Sequence, residues 1–164
     1  MKKVLGTILI GVFALWIGIR IYKNVSLTID CTGHLKRAAD ANTVELAKEE
    51  LRIAISYLES NQLTTGYTSI LYRTPNEDIG FWYKNLKYSL KELEQVTSET
   101  MQLEKSNLLM KLRETLLDHG KDGDSVTAPA GISIFPNNTG FAIWGIIGAI
   151  LALIGYVLIS VDED

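Results

Sequence analysis

One cysteine leaves this 164-residue chain without an intrachain disulfide. With only two histidines beside it, there are too few soft ligands for a metal cage. Three prolines, no internal repeat and no low-complexity tract exclude a proline-rich linker or a repeat array. Neither sign of charge is in large excess, since 16 Lys and Arg stand against 19 Asp and Glu for a net of -3, so the basic footprint of a nucleic-acid-binding protein is missing. Gly-x-Ser-x-Gly, a phosphate-cradling glycine loop and His-Glu-x-x-His are also absent. Nothing therefore brings a nucleophile to a base. The expectation is a non-enzymatic chain with no cofactor, no metal and no nucleic-acid partner.

What the chain has is apolar residues, 47% of the total, and they are unevenly placed. Val4 to Ile19 carries no charge, nor does Asn137 to Val161. Residues 140–161 give 22 uncharged positions, ~33 Å as a helix and enough for a hydrocarbon core of ~30 Å. Trp144 and Tyr156 lie near its ends, as interfacial aromatic belts require. Residues 4–22 form the other run, preceded by the basic segment 1–3. That run ends Ile19-Arg20-Ile21-Tyr22-Lys23, with no small-residue cleavage site, so it reads as an uncleaved anchor rather than a signal peptide. Membrane lipid is thus an expected partner.

Each run has small residues at steps of three and four: Thr7, Gly11, Ala14 and Gly18 in the first, Gly145, Gly148, Ala152 and Gly155 in the second. Such a stripe lets membrane helices approach closely. The neighbour is either the other span or another subunit.

Residues 23–139 read as a soluble, mainly helical domain, with 12 Lys and Arg against 16 Asp and Glu between positions 24 and 139. One helix is predicted over about 34–60, where Val44, Ala47, Leu51, Ala54, Ile55 and Leu58 share a face. Leu46 and Ile53 add a second apolar strip, so this helix wants more than one neighbour. A second is predicted over about 79–118, with Trp82, Val96, Leu103, Met110 and Leu117 at heptad intervals. Asp78 or Asn76 is expected to cap it. The fold class is therefore mainly α: two transmembrane helices flank a long antiparallel, coiled-coil-like helical hairpin with an irregular tip. Two short extended stretches are expected, Tyr67–Tyr72 and Gly131–Phe135. The acidic tail 162–164 closes the chain.

Tyr67, Tyr72, Arg73, Phe81 and Tyr83 concentrate aromatic surface at the tip, with Trp82 expected in the core. Aromatics and Arg anchor binding interfaces, which makes these residues partner-binding candidates. The competing reading has them cap the bundle end against Tyr57 and Leu58. Cys31 is the odd cysteine, and in an oxidising compartment it pairs between protomers. Cys31 and His34 also give half a Cys-x-x-His metal site, too little to complete. Asp118, Asp122 and Asp124 have loop-like acidic spacing, but Gly120 and Pro129 stand where calcium ligands are needed, which makes the segment a solvated turn.

Two helices alone bury little apolar area, so the chain is expected to join a homo-oligomer or other membrane-protein subunits. The expected function is a structural, accessory or interaction subunit. The alternative is an extracytoplasmic ligand- or partner-sensing domain that signals through a partner protein. The N-terminal anchor suggests both termini in the cytoplasm and the soluble domain outside it.

Overall fold

The computed structural model describes residues 1–120 and 123–160; the expected acidic tail 162–164 and the last residue of the second apolar run lie outside them. The described chain is mainly helical and divides into two compact units, residues 1–25 with 133–160, and residues 26–132.

The first unit pairs α1 (Lys2–Leu27) with α6 (Asn138–Ser160). Both are long and apolar enough to cross a membrane. A core helix of a soluble protein would hide its apolar side chains, yet only 6% of the apolar stretch of α1 and 11% of that of α6 is buried. The two helices meet through glycine. A Cβ at Gly6 would stand 2.6 Å from the Gly155 carbonyl oxygen, and one at Gly155 equally close to that of Gly6. Backbones pack this closely only where neither residue has a side chain. Along the same contact, Gly145 lies against the Trp16 ring and Gly148 against Phe13. Phe13 and Trp16 stack at 5.6 Å. The Trp16 indole N–H donates to the Phe141 carbonyl at 2.8 Å, which satisfies a donor that lipid could not.

In the second unit a π-helical turn (Thr28–Thr32) precedes α2 (Gly33–Ala39). The Gly33 N–H donates to the Thr28 carbonyl, where a Cβ would lie 2.6 Å from that oxygen. The expected helix 34–60 is interrupted over residues 40–43 and resumes as α3 (Val44–Ser60). The break is set by Thr43, which is extended and whose side chain accepts the Leu46 N–H as an N-cap. Asp78 caps α4 (Ile79–Glu94) in the same way, accepting the Phe81 N–H at 3.0 Å.

The expected forty-residue second helix is two helices, α4 and α5 (Gln102–Leu116). Between them the Thr100 hydroxyl accepts the Thr97 N–H and the Thr97 hydroxyl accepts the Glu99 N–H. Short hydroxyl side chains here take the donors that a helix would pair with its own carbonyls. The coiled-coil seam is consequently not formed: Leu103 and Met110 are exposed, whereas Leu112 and Leu116 are buried. Folding α5 back makes a small bundle in which α3 packs on α2 and α4, and α5 packs on α2 and α4. Leu35, Leu51, Leu58, Leu86, Leu93 and Leu116 form its centre. Leu46 and Ile53 stay exposed, so the second strip of α3 gains no cover among the described residues.

A two-stranded antiparallel ribbon follows, β1 (Leu117–Gly120) paired with β2 (Gly123–Val126). The last two residues of the helix expected to reach 118 and the acidic turn 118–124 fall in it, with Asp122 outside the described residues. Gly131–Phe135, expected as a strand, instead contains a 3-10 turn over Ile132–Ile134. It has no strand partner among the described residues, and Gly131 turns the chain at φ 75°. The stretch Tyr67–Tyr72 is extended only at its start, where Tyr67 bridges Asp78.

Three substitutions test this packing. Gly155→Leu is expected to weaken the α1–α6 pair by about 1–3 kcal/mol, the range for forcing side chains into a filled contact, read as the unfolding free energy in a denaturing-detergent titration. Gly11→Leu, at a site with nothing within 4 Å, leaves that pairing unchanged. Gly33→Ala drives a methyl into the Thr28 carbonyl and is expected to lower the stability of the helical domain by about 1–3 kcal/mol, measured by circular dichroism during chemical unfolding.

Candidate functional site

The segment between α3 and α4 is held at its base and open at its tip. Leu63 is buried, its N–H donating to the Leu58 carbonyl. The Thr68 N–H donates to the Glu77 carbonyl and the Ile79 N–H to that of Gly66, so the two ends of the loop are clamped together. Gly66 permits this with φ 110°, a conformation that costs a side-chain-bearing residue dearly. Beyond the clamp the chain offers apolar side chains to solvent: Leu71 is 84% exposed, Tyr72 78% and Phe81 63%.

Next to this tip lies a groove of about 690 Å³, within the range of ligand sites. One wall is the turn Thr74–Asp78 with Phe81, Trp82, Asn85 and Leu86 of α4. The other is Thr115 of α5, Asp118 of β1 and the return segment 127–130. That segment is pinned by Thr127, whose N–H donates to the Leu116 carbonyl at 2.9 Å and whose hydroxyl donates to that of Thr115 at 3.0 Å. Trp82 is 7% exposed, and its indole N–H is buried with no hydrogen-bond partner among the described residues. An unpaired buried donor of this kind costs about 1–3 kcal/mol.

The structure brings some of the expected binding residues to this region and removes one. Phe81 lines the groove. Tyr72 stands exposed on the tip, and the Arg73 guanidinium lies over the Tyr67 ring at 5.2 Å, a cation–π contact that orders both. Tyr83 lies elsewhere. Its hydroxyl donates to Glu59 Oε1, which also takes the Lys87 ammonium at 3.0 Å, so Tyr83 ties α3 to α4 instead of facing a partner. Sequence reasoning missed Leu71, Glu77, Asn85 and Asp118. The Ile70-Leu71 pair in an otherwise polar loop was the available signal for the first, and nothing in the sequence placed the other three together.

Cys31 does not serve as a bridge between protomers in this fold. It is fully buried, with its thiol directed at the Ala54 carbonyl 3.9 Å away. Burial pushes its pKa up to about 12, with the Asp30 charge adding to the effect, and a disulfide needs an accessible thiolate. His34 is engaged with Glu50 at 2.6 Å, a carboxylate also held by Arg37. Among the described residues no three His, Cys, Asp or Glu side chains gather as metal ligands. Asp124 is occupied by Arg113 and His119.

The small-residue stripes end up on different surfaces. Gly145, Gly148 and Gly155 face α1, with Ala152 half-buried between them. Thr7, Gly11, Ala14 and Gly18 are exposed, and nothing lies within 4 Å of where a Cβ would stand at Gly11 or Gly18. Gly6, passed over in the sequence, supplies the contact on α1.

No protein-family model, curated protein or solved structure matches the chain.

The tie at Glu59 makes a pH prediction. Its carboxyl is held below its ordinary value of 4.5, first by the Tyr83 hydroxyl and then by Lys87. A carboxylate with a lowered folded pKa contributes stability above its unfolded value and loses it as pH falls through the folded one. Stability of the helical domain is therefore expected to decline below about pH 4.5, with a shallower acid limb in Glu59→Gln, measured by urea unfolding across pH.

Proposed function

We propose that this chain is a non-enzymatic integral membrane protein that acts as an accessory or interaction subunit, its spans packing side by side and its helical domain offering the tip and groove to a partner protein. The observation that carries the reading is the exposed apolar circumference of α1 and α6, which water disfavours by about 25 cal/mol per Å² and lipid does not. Support for a partner comes from Leu71 and Tyr72 on the clamped loop and Phe81 in the first turn of α4, large apolar side chains held in solvent, the residue types that anchor interfaces. The uncovered stripe Thr7, Gly11, Ala14 and Gly18 is a face suited to a further membrane helix, in a second copy or another subunit. On this reading both termini lie in the cytoplasm and the helical domain on the opposite side, the orientation that an N-terminal signal anchor favours. The groove favours a second reading, an extracytoplasmic sensing domain whose occupant is reported to a partner's helices.

Alkaline carbonate extraction of cell membranes tests the first element, and the protein is expected to stay in the pellet. A soluble, monodisperse product without detergent overturns the reading. Single cysteines at Gly11 and Gly148 then separate the modes. Crosslinks from position 11 to a second copy indicate a homo-oligomer, and crosslinks from it only to other membrane proteins indicate an accessory subunit. Position 148, turned towards α1, is expected to give neither.

A further inference from the structure

Every ionisable side chain among the described residues lining the groove is acidic: Glu77, Asp78 and Asp118. None of the three meets a cation among the described residues, whereas Glu50, Glu59, Glu92, Glu94 and Asp124 each do. One oxygen of Asp78 caps α4, and Glu77 takes the Thr74 hydroxyl on one oxygen, which leaves acceptor capacity on both carboxylates. Beside this charge the lining mixes apolar side chains such as Phe81, Trp82 and Pro129 with neutral polar ones such as Asn76, Asn85 and Thr115, and the buried Trp82 N–H has no acceptor among the described residues.

We infer that the groove holds an extended basic segment of a partner protein, with its Lys or Arg side chains on Glu77 and Asp118. Charge complementarity selects the sign, since carboxylates grouped in a partly enclosed groove repel one another until a cation arrives. The Trp82 side chain lines the groove, and its N–H is unpaired among the described residues. A protein segment is preferred to a free amine because the apolar surface runs on from the groove through Phe81, and the same clamped loop exposes Leu71 and Tyr72, more area than a small cation covers. The inference deepens the interaction-subunit reading and rests on it.

The test uses the full-length protein in nanodiscs of uncharged phosphatidylcholine and a fluorescein-labelled peptide alternating arginine and alanine, followed by anisotropy against empty nanodiscs. Saturable binding is expected, weakening as salt rises. It should fall by about tenfold or more in the E77Q/D118N double variant, with no binding of the matching glutamate–alanine peptide. Asn85→Lys, which sets a cation in the groove, is expected to weaken binding similarly, and it decides the matter should circular dichroism show the double variant misfolded. Failure of the arginine peptide to bind, or binding unchanged in these variants, overturns the proposal. Displacement by spermidine at the same concentration as unlabelled peptide assigns the groove to free polyamines and overturns the peptide occupant. Self-association of the wild type that E77Q/D118N abolishes overturns it in favour of a second copy, with the lysine-bearing face of α4 as the cationic element. Membrane retention and crosslinking from position 11 do not involve the groove, so the groove proposal fails alone if those results stand while the peptide experiment fails.

Discussion

A helix that exposes apolar side chains around its whole circumference needs a surrounding that does not penalise apolar surface. α1 and α6 impose this condition on everything else in the molecule. Helical backbone donors and acceptors pair internally, as a bilayer would demand, and the Trp16 indole N–H finds its acceptor in the Phe141 carbonyl. Hydrophobicity cannot hold two such helices together within lipid. Shape does so instead, through the mutual approach of Gly6 and Gly155 and the seating of Phe13 and Trp16 against Gly148 and Gly145.

The helical domain solves a different problem, that of covering amphipathic faces with few residues. α3 carries apolar side chains on more than one side, and a single straight partner would leave much of that surface open. The hydroxyl-rich break at Thr97 to Thr100 converts one long helix into two shorter ones, so that Leu112 and Leu116 return to the centre beside Leu93. Ion pairs such as Arg52 with Glu94 and Lys111 with Glu92 join neighbouring helices on the surface. Exposed pairs of this kind contribute little each, so the core leucines carry the stability.

Much of this was legible in the sequence where one physical signal acted alone. The two apolar runs, the α3 face and the Asp78 cap needed only length, periodicity and a side-chain acceptor. The α4–α5 break was harder, because heptad spacing through Leu103 and Met110 argued for continuity while Thr97 and Thr100 argued against it, and the local hydrogen bonds prevailed. The ribbon was hidden in a segment read for its carboxylates, although Asp122-Gly123 is a hairpin signal. On the small-residue stripes, periodicity identifies a face but not its neighbour, and only the contact at Gly6 distinguishes the inner side of α1 from the outer. The groove was illegible for a related reason: Glu77 and Asp118 are far apart in the chain, and it takes the return of α5 to bring their elements together.

The burial of Cys31 has a practical consequence. With the chain's only native thiol shut away behind Ala54, a thiol introduced at any surface position is chemically alone in the folded protein. Dyes, spin labels and maleimide reagents can then map this polypeptide site by site on the unaltered background, with no cysteine-free parent to prepare.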